Sequence, residues 1–346
     1  MNRDRISHFP QITFKIYSAL IILLYLVLPK LSFGQSLDRY EYSQVHMGTD
    51  FQIILYAPDS LVAQTASDAA YERIKELDQI LSDYQEDSEL NRLSSSSGSG
   101  KAVPVSDPLF YVINKAVNAS ELTDGAFDMT IGPFVKLWRI TRRTQRLPSV
   151  DKINKASESV GYNYIELDES RQTVKLQEER MQLDAGGIGK GYAVDEALAI
   201  LRDNNISSAL IKGGGDIVVS NAPPNKKGWT IEVGMIEDGK QISNSLTICD
   251  KAISTSGDLF QYVELDGARY SHIINPQTGL GLTNQSKVTV IAPDGITADS
   301  YSSAISVMGP EKGINVVHQR PEMEFYFISK NNGKYKSWQS SGFKTE

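Results

Sequence analysis

The sequence predicts an α+β chain with largely antiparallel sheets. Two observations predict it. Runs with strand character outnumber those with helical spacing. Many of these runs come in pairs separated by short turn signals, as in hairpins.

Taken in order, Val45 to Ala57 reads as one strand, with Phe51, Ile53 and Leu55 alternating against polar neighbours. Pro58-Asp59-Ser60 opens a helix whose apolar stripe is Ala70, Ile74, Leu77, Leu81 and Tyr84. Asp87 to Asn91 reads as a polar turn, and Ser94 to Gly100 as a Ser/Gly surface loop. Ser106-Asp107-Pro108 starts a second helix, with proline in its first turn, that runs to Thr123-Asp124-Gly125. Ala126 to Thr130 follows, ahead of Pro133, Leu137 and Trp138, and Asn163 to Leu176 reads as a hairpin. An apolar alternation through Leu183 then leads into Asp184-Ala185-Gly186-Gly187-Ile188-Gly189-Lys190-Gly191 and a helix to about Arg202. Glycines let backbone approach a ligand closely, and a helix start offers free N–H groups to an anion.

Strands are expected at Ser208 to Ile211 and, beyond Gly213-Gly214-Gly215-Asp216, through Val219. Three glycines inside β pattern predict a bulge or close backbone approach. Trp229 to Val233, Ser245 to Ile248, Ala252 to Ser256, Leu259 to Leu265 and Lys287 to Ile291 also read as strands. Two helices, Ala298 to Met308 and Glu311 to His318, precede a closing hairpin of Glu324 to Ser329 and Tyr335 to Trp338 around Asn332-Gly333.

The N-terminal segment stands apart from this plan. Arg3, Arg5 and Lys15 precede an apolar run from Ile16 to Leu28, then Pro29 and small residues at Ser32 and Gly34. This is the pattern of a secretory signal over residues 1–34, with a short uncleaved anchor as the alternative. Residues 35–346 form the expected functional domain, so the protein is expected to be exported. Without the leader the chain has 31 Lys+Arg against 41 Asp+Glu, a net of −10. That balance disfavours nonspecific nucleic-acid binding, which needs basic surface to displace counterions. Cys249 is the only cysteine, which excludes an intramolecular disulfide and a multi-cysteine zinc site.

Polar clusters then narrow the chemistry. Asp299 and Ser303 stand at i and i+4 on an expected helix, which sets both oxygens on one face. Oxygen-only ligands suit a hard cation such as Mg²⁺, although Asp299 taken alone is better read as complementing a helix N-terminus. His272 stands just before Asn275-Pro276-Gln277-Thr278-Gly279, at a loop edge open to substrate. Gly125-Ala126-Phe127-Asp128 offers an aromatic and a carboxylate at a helix end. No Gly-x-Ser-x-Gly elbow and no His-Glu-x-x-His motif is present. These features point to chemistry on a phosphorylated ligand.

In order along the chain, several blocks resemble the ApbE family, the FAD:protein FMN transferases. They are Met47-Gly48-Thr49; Tyr84 with Ser88-Glu89 and Asn91; Gly125 to Thr130 with Pro133 and Leu137-Trp138; and Asp184 to Gly191. Gly213 to Asp216, Ile253 to Gly257, His272 to Gly279 and Thr297-Ala298-Asp299 with Ser303 continue the series. The resemblance implies a T-fold-related α+β architecture and a Mg²⁺-dependent reaction in which FAD is split and FMN passes to a Thr or Ser hydroxyl of an acceptor protein, releasing AMP. Acceptors would be subunits of exported or membrane electron-transfer complexes, with the enzyme periplasmic. By resemblance, Asp299, Ser303 and the Gly187 carbonyl would ligate Mg²⁺. Met47, Tyr84, Ala126, Phe127, Asp128, Asp184 and Lys190 would hold FAD, and His272 would activate the acceptor hydroxyl. Two departures are visible: Ser303 stands where the family usually has Thr, and Gly189 where it usually has Ala. The hydroxyl and the small volume are both retained. FAD hydrolysis and plain flavin carriage are the competing functions.

Overall fold

A computed structural model describes residues 36–257, 262–265, 267–331 and 333–345. The leader expected over residues 1–34, the Leu259 start of one expected strand and the Asn332 turn position lie outside the described residues. The strands are β1 (Asp38–His46), β2 (Thr49–Ala57), β3 (Val103–Pro104), β4 (Ile165–Asp168), β5 (Thr173–Leu176), β6 (Ala209–Gly213), β7 (Asp216–Val219) and β8 (Trp229–Glu237). They continue as β9 (Lys240–Ile248), β10 (Lys251–Gly257), β11 (Tyr262–Leu265), β12 (Ala268–Ser271), β13 (Gln285–Ala292), β14 (Glu324–Asn331) and β15 (Lys334–Gln339). The helices are α1 (Ser60–Leu81), α2 (Glu89–Ser95), α3 (Asp107–Leu122), α4 (Gly132–Thr144), α5 (Val150–Ser157), α6 (Gly189–Asp203), α7 (Gly295–Met308) and α8 (Pro310–His318).

The centre is an eight-stranded sheet in the order β1-β2-β6-β7-β10-β13-β14-β15. Every neighbouring pair in it is antiparallel. Strand side chains alternate between faces, and here both faces are apolar. Phe51, Ile53 and Leu55 of β2, Val288 and Val290 of β13, and Phe325 and Phe327 of β14 enter the core beneath α1, α6 and α7. Their neighbours Ile291, Tyr326 and Ile328 face the other way, where the β8–β9 hairpin covers them with Trp229, Ile231, Val233 and Leu246. A third cluster joins Phe134 and Trp138 of α4 to Ile274, with Ile153 of α5 packed against it.

The α+β class and the antiparallel sheet are as the sequence predicts; several elements are not. The expected strand from Val45 is a hairpin, because Met47 takes φ 49° and Gly48 φ 71° and the chain reverses between β1 and β2. The polar turn and Ser-rich loop after Tyr84 contain α2, capped where the Ser88 hydroxyl accepts the Asn91 N–H at 3.1 Å. Helices α4 and α5 follow a stretch read only as motif. The apolar run before Asp184 leaves β structure at Leu176, keeping an isolated bridge at Gln182.

Two glycines set the geometry that matters most. A Cβ on Gly191 would lie 2.2 Å from the Gly295 carbonyl oxygen, and one on Gly295 would lie 2.5 Å from that of Gly191. Helices α6 and α7 therefore touch backbone to backbone. Asp195 of α6 completes the junction, its carboxylate accepting the Gly295 and Ile296 N–H groups at 2.6 and 2.8 Å at the start of α7.

Candidate active site

The α6–α7 contact brings the glycine turn and the Asp299 helix into one cluster. The Asp299 carboxylate accepts the Gly191 N–H at 3.1 Å. The Lys190 ammonium stands 4.0 Å from Asp299 and 3.6 Å from Asp216, and it donates to the Gly186 carbonyl at 3.2 Å. Asp216 opens β7 directly after the Gly214-Gly215 reversal. Gly213 and Gly215 are the close approaches that the sequence predicts: added Cβ atoms would meet the Phe51 ring at 2.5 Å and the Thr255 carbonyl at 2.7 Å.

The electrostatics follow from burial. Burial, with the charge of Asp216 beside it, pushes the Asp299 carboxyl up to about 7, against the pull of Lys190. Burial likewise raises Asp216, which Lys190 and the Ser254 hydroxyl hold back. The carboxylate of Asp299, then that of Asp216, holds Lys190 firmly protonated. One ammonium thus faces two buried carboxylates, and negative charge is in excess.

Hydroxyls line the side away from Lys190. The Ser254 hydroxyl donates to Asp216 at 2.6 Å, Ser302 donates to Ser256 at 2.9 Å, and Ser256 and Ser303 lie 3.4 Å apart. Gly187 closes this side, since a Cβ there would sit 3.1 Å from the Ser303 Oγ and 3.3 Å from the Phe127 ring. No group of three or more His, Cys, Asp or Glu side chains suited to a metal is present among the described residues. A cation here would rely on the Asp299 carboxylate, the Ser303 hydroxyl and backbone oxygen at Gly187. That hard, incomplete oxygen set and the excess negative charge fit Mg²⁺, which keeps waters and phosphate oxygens among its ligands.

Other expected site residues occupy the flanks. Asp184 accepts the Gly186 N–H at 2.8 Å; burial and the charge of Asp83 push its carboxyl up to about 6. Met47 lies on the β1–β2 turn, its N–H donating to Asp78 at 3.4 Å. Thr49, two residues on, packs beside Gly214, which also neighbours the Lys190 stem. Ala126 and Phe127 are buried, and the Phe127 ring lies beside Gly187 of the glycine turn. Tyr84 is 78% exposed and lies against the Arg139 guanidinium, 3.9 Å from its ring centre.

Two further expected residues are Asp128 and His272. The Asp128 carboxylate accepts the Thr130 N–H and hydroxyl at 2.8 and 2.7 Å and the Tyr162 N–H at 2.9 Å. Its side chain is committed to the fold, which leaves backbone and the Phe127 ring as what this segment can offer a ligand. His272 is exposed at the bend after β12. Its loop is anchored where the Trp138 indole N–H donates to the Gly279 carbonyl at 2.8 Å. Asp83, Arg139, Asp216 and Ser256 belong to the site although their residue types alone did not single them out. Only Asp216, following three glycines, carried a local signal.

Comparisons with known proteins bear on the family and the fold. A family model described as the ApbE family matches residues 47–327. A FAD:protein FMN transferase of Klebsiella pneumoniae (strain 342) is 33% identical over 294 residues, covering 84% of this chain and 90% of the relative. That of Escherichia coli (strain K12) is 33% identical over 276 residues, 78% of each chain. Among solved structures, the apo flavinyl transferase ApbE of Pseudomonas stutzeri superposes with a TM-score of 0.80 at 25% identity, covering 88% of this chain and 96% of that one. The flavin transferase ApbE of Vibrio cholerae gives 0.79 at 29% identity, with 89% and 98% covered.

Proposed function

The chain belongs to the ApbE family, and from that premise we propose that it is a Mg²⁺-dependent FAD:protein FMN transferase acting on exported acceptor proteins. The reaction joins the FMN phosphorus of FAD to a Thr or Ser hydroxyl oxygen of the acceptor. It breaks the pyrophosphate bond to the AMP phosphate and releases AMP, while the hydroxyl proton passes to a base. The observation that carries this reading is the Lys190 ammonium beside Asp216 and Asp299, with Gly187 and Ser303 packed together next to it.

Phosphoryl transfer asks a protein for positioning and charge neutralisation more than for covalent chemistry. Lys190 would neutralise a pyrophosphate oxygen from its place between the carboxylates. The glycine turn lets the backbone approach that oxygen without steric cost. Asp299, Ser303 and the Gly187 carbonyl would hold Mg²⁺, which when bound supplies charge stabilisation for the departing phosphate. The planar rings of FAD would lie against Tyr84 and Phe127. His272, exposed on a loop anchored by Trp138, would take the acceptor proton, a task that suits an imidazole near neutral pH.

The leader pattern supports export, and so acceptors among exported or membrane electron-transfer proteins. Incubation of residues 35–346 with FAD, Mg²⁺ and a candidate acceptor tests the activity. Covalent fluorescent flavin on the acceptor and stoichiometric AMP are expected. FMN and AMP released with no flavin on the acceptor would instead make the protein a FAD pyrophosphatase.

A further inference from the structure

Arg139 of α4 contacts Asp83 and Tyr84, just beyond the end of α1, and acts through its charge on Asp184. Its guanidinium pairs with the Asp83 carboxylate and lies 3.9 Å from the centre of the Tyr84 ring. The charges of Asp83 and Arg139 act in opposite directions on the buried Asp184 carboxyl, Asp83 raising it and Arg139 drawing it down against its burial. Arg139 is about two-thirds withdrawn from solvent, whereas Tyr84 is 78% exposed. Without a support, a tyrosine that exposed at a helix end has no reason to hold one orientation. A guanidinium is planar and stacks on aromatic faces, so its own attachment to Asp83 can fix the ring.

We propose that Arg139 is a positioning residue of the FAD site, clamping one face of Tyr84 so that the opposite face is a ready platform for a planar ring of FAD. The proposal rests on the flavin-transferase reading. The guanidinium has a second task, as counter-charge for Asp83 and Asp184, which keeps the carboxylate pair from repelling the ligand. A lysine could meet the charge requirement, but not the stacking one.

The test is FAD affinity in metal-free buffer, read by quenching of flavin fluorescence, for the parent, Tyr84→Ala, Arg139→Ala, Arg139→Lys and the double variant Tyr84→Ala/Arg139→Ala. Thermal unfolding of each checks the fold. Each alanine variant should weaken FAD binding about threefold to tenfold, the range of a partly desolvated cation–π contact. The double variant should be no weaker than the worse single, because the two residues act as one unit. Arg139→Lys should recover the melting temperature but not the affinity. FMN and ADP tested separately identify the stacked ring as the one whose fragment loses affinity in Arg139→Ala. Additive losses, unchanged affinity in Arg139→Ala, or full recovery by lysine would each overturn the proposal. A parent protein that fails to bind FAD at all would overturn the flavin reading itself and the proposal with it.

Discussion

Asp128 and Asp299 are buried to nearly the same degree, 7% and 3% exposed, and burial raises both carboxyls. Their surroundings differ. Asp128 receives three donors from Thr130 and Tyr162 and binds the Phe127 segment to the turn before β4. Asp299 receives the Gly191 N–H, then faces Lys190 at 4.0 Å and the like charge of Asp216. A carboxylate saturated by fixed donors stabilises a fold. One left short of donors beside a like charge costs stability and is kept for a ligand. The contrast separates carboxylates that build this site from those that act in it.

The largest effect should come from Asp299→Ala. Transfer activity (kcat/KM for FAD) should fall on the order of a hundredfold or more, while the melting temperature holds or rises because a buried, poorly compensated charge is gone. A fall in melting temperature with activity retained would reverse the roles assigned to the two residues. Gly191→Ala attacks the contact that creates the cluster. Its Cβ has no room against Gly295, so about 1–3 kcal/mol of stability should be lost. Activity should fall as well, since Lys190 and Asp299 are forced apart; urea unfolding and FAD kinetics measure the two together.

Asp128→Asn should show the complementary pattern: about 1–3 kcal/mol lost in urea unfolding, with the KM for FAD changed by less than about threefold. A large KM effect in a stable variant would move Asp128 into the acting class. Asp195 gives the smallest effect. Its carboxyl is pushed up by burial to about 7, despite two backbone donors. The folded value lies above the ordinary one of 3.8, so its contribution to stability is complete below about pH 4 and is lost as pH rises through about 7. The melting temperature should drift downward over that window, and Asp195→Asn should flatten the drift.

Legibility in the sequence tracked locality. Asp184 to Gly191 could be read because strain-free glycines and a helix start are written in consecutive residues. Asp299 and Ser303 could be read because the helical repeat fixes i and i+4 on one face. The sheet was legible from period-two alternation, except where Met47 turns the chain with a positive φ seldom adopted by such a side chain. Asp83 and Arg139 were not legible, since they meet only after α4 folds back across the end of α1. Nor did the sequence distinguish Asp128 from Asp299: residue type is identical, and only the donors around each tell them apart.

The backbone contact at Gly191 and Gly295 has a consequence for how the site meets its ligand. Two helices in contact through their main chains, and tied by the Asp195 and Asp299 carboxylates, have little freedom to slide. Lys190 and Asp299 therefore ride on one rigid piece, and their separation is set during folding rather than by substrate. Binding should then cost little reorganisation in this part of the protein, with any adjustment confined to Tyr84, the His272 loop and other groups carried outside the helix pair. Free and FAD-loaded forms should superpose along α6 and α7 to within about 1 Å.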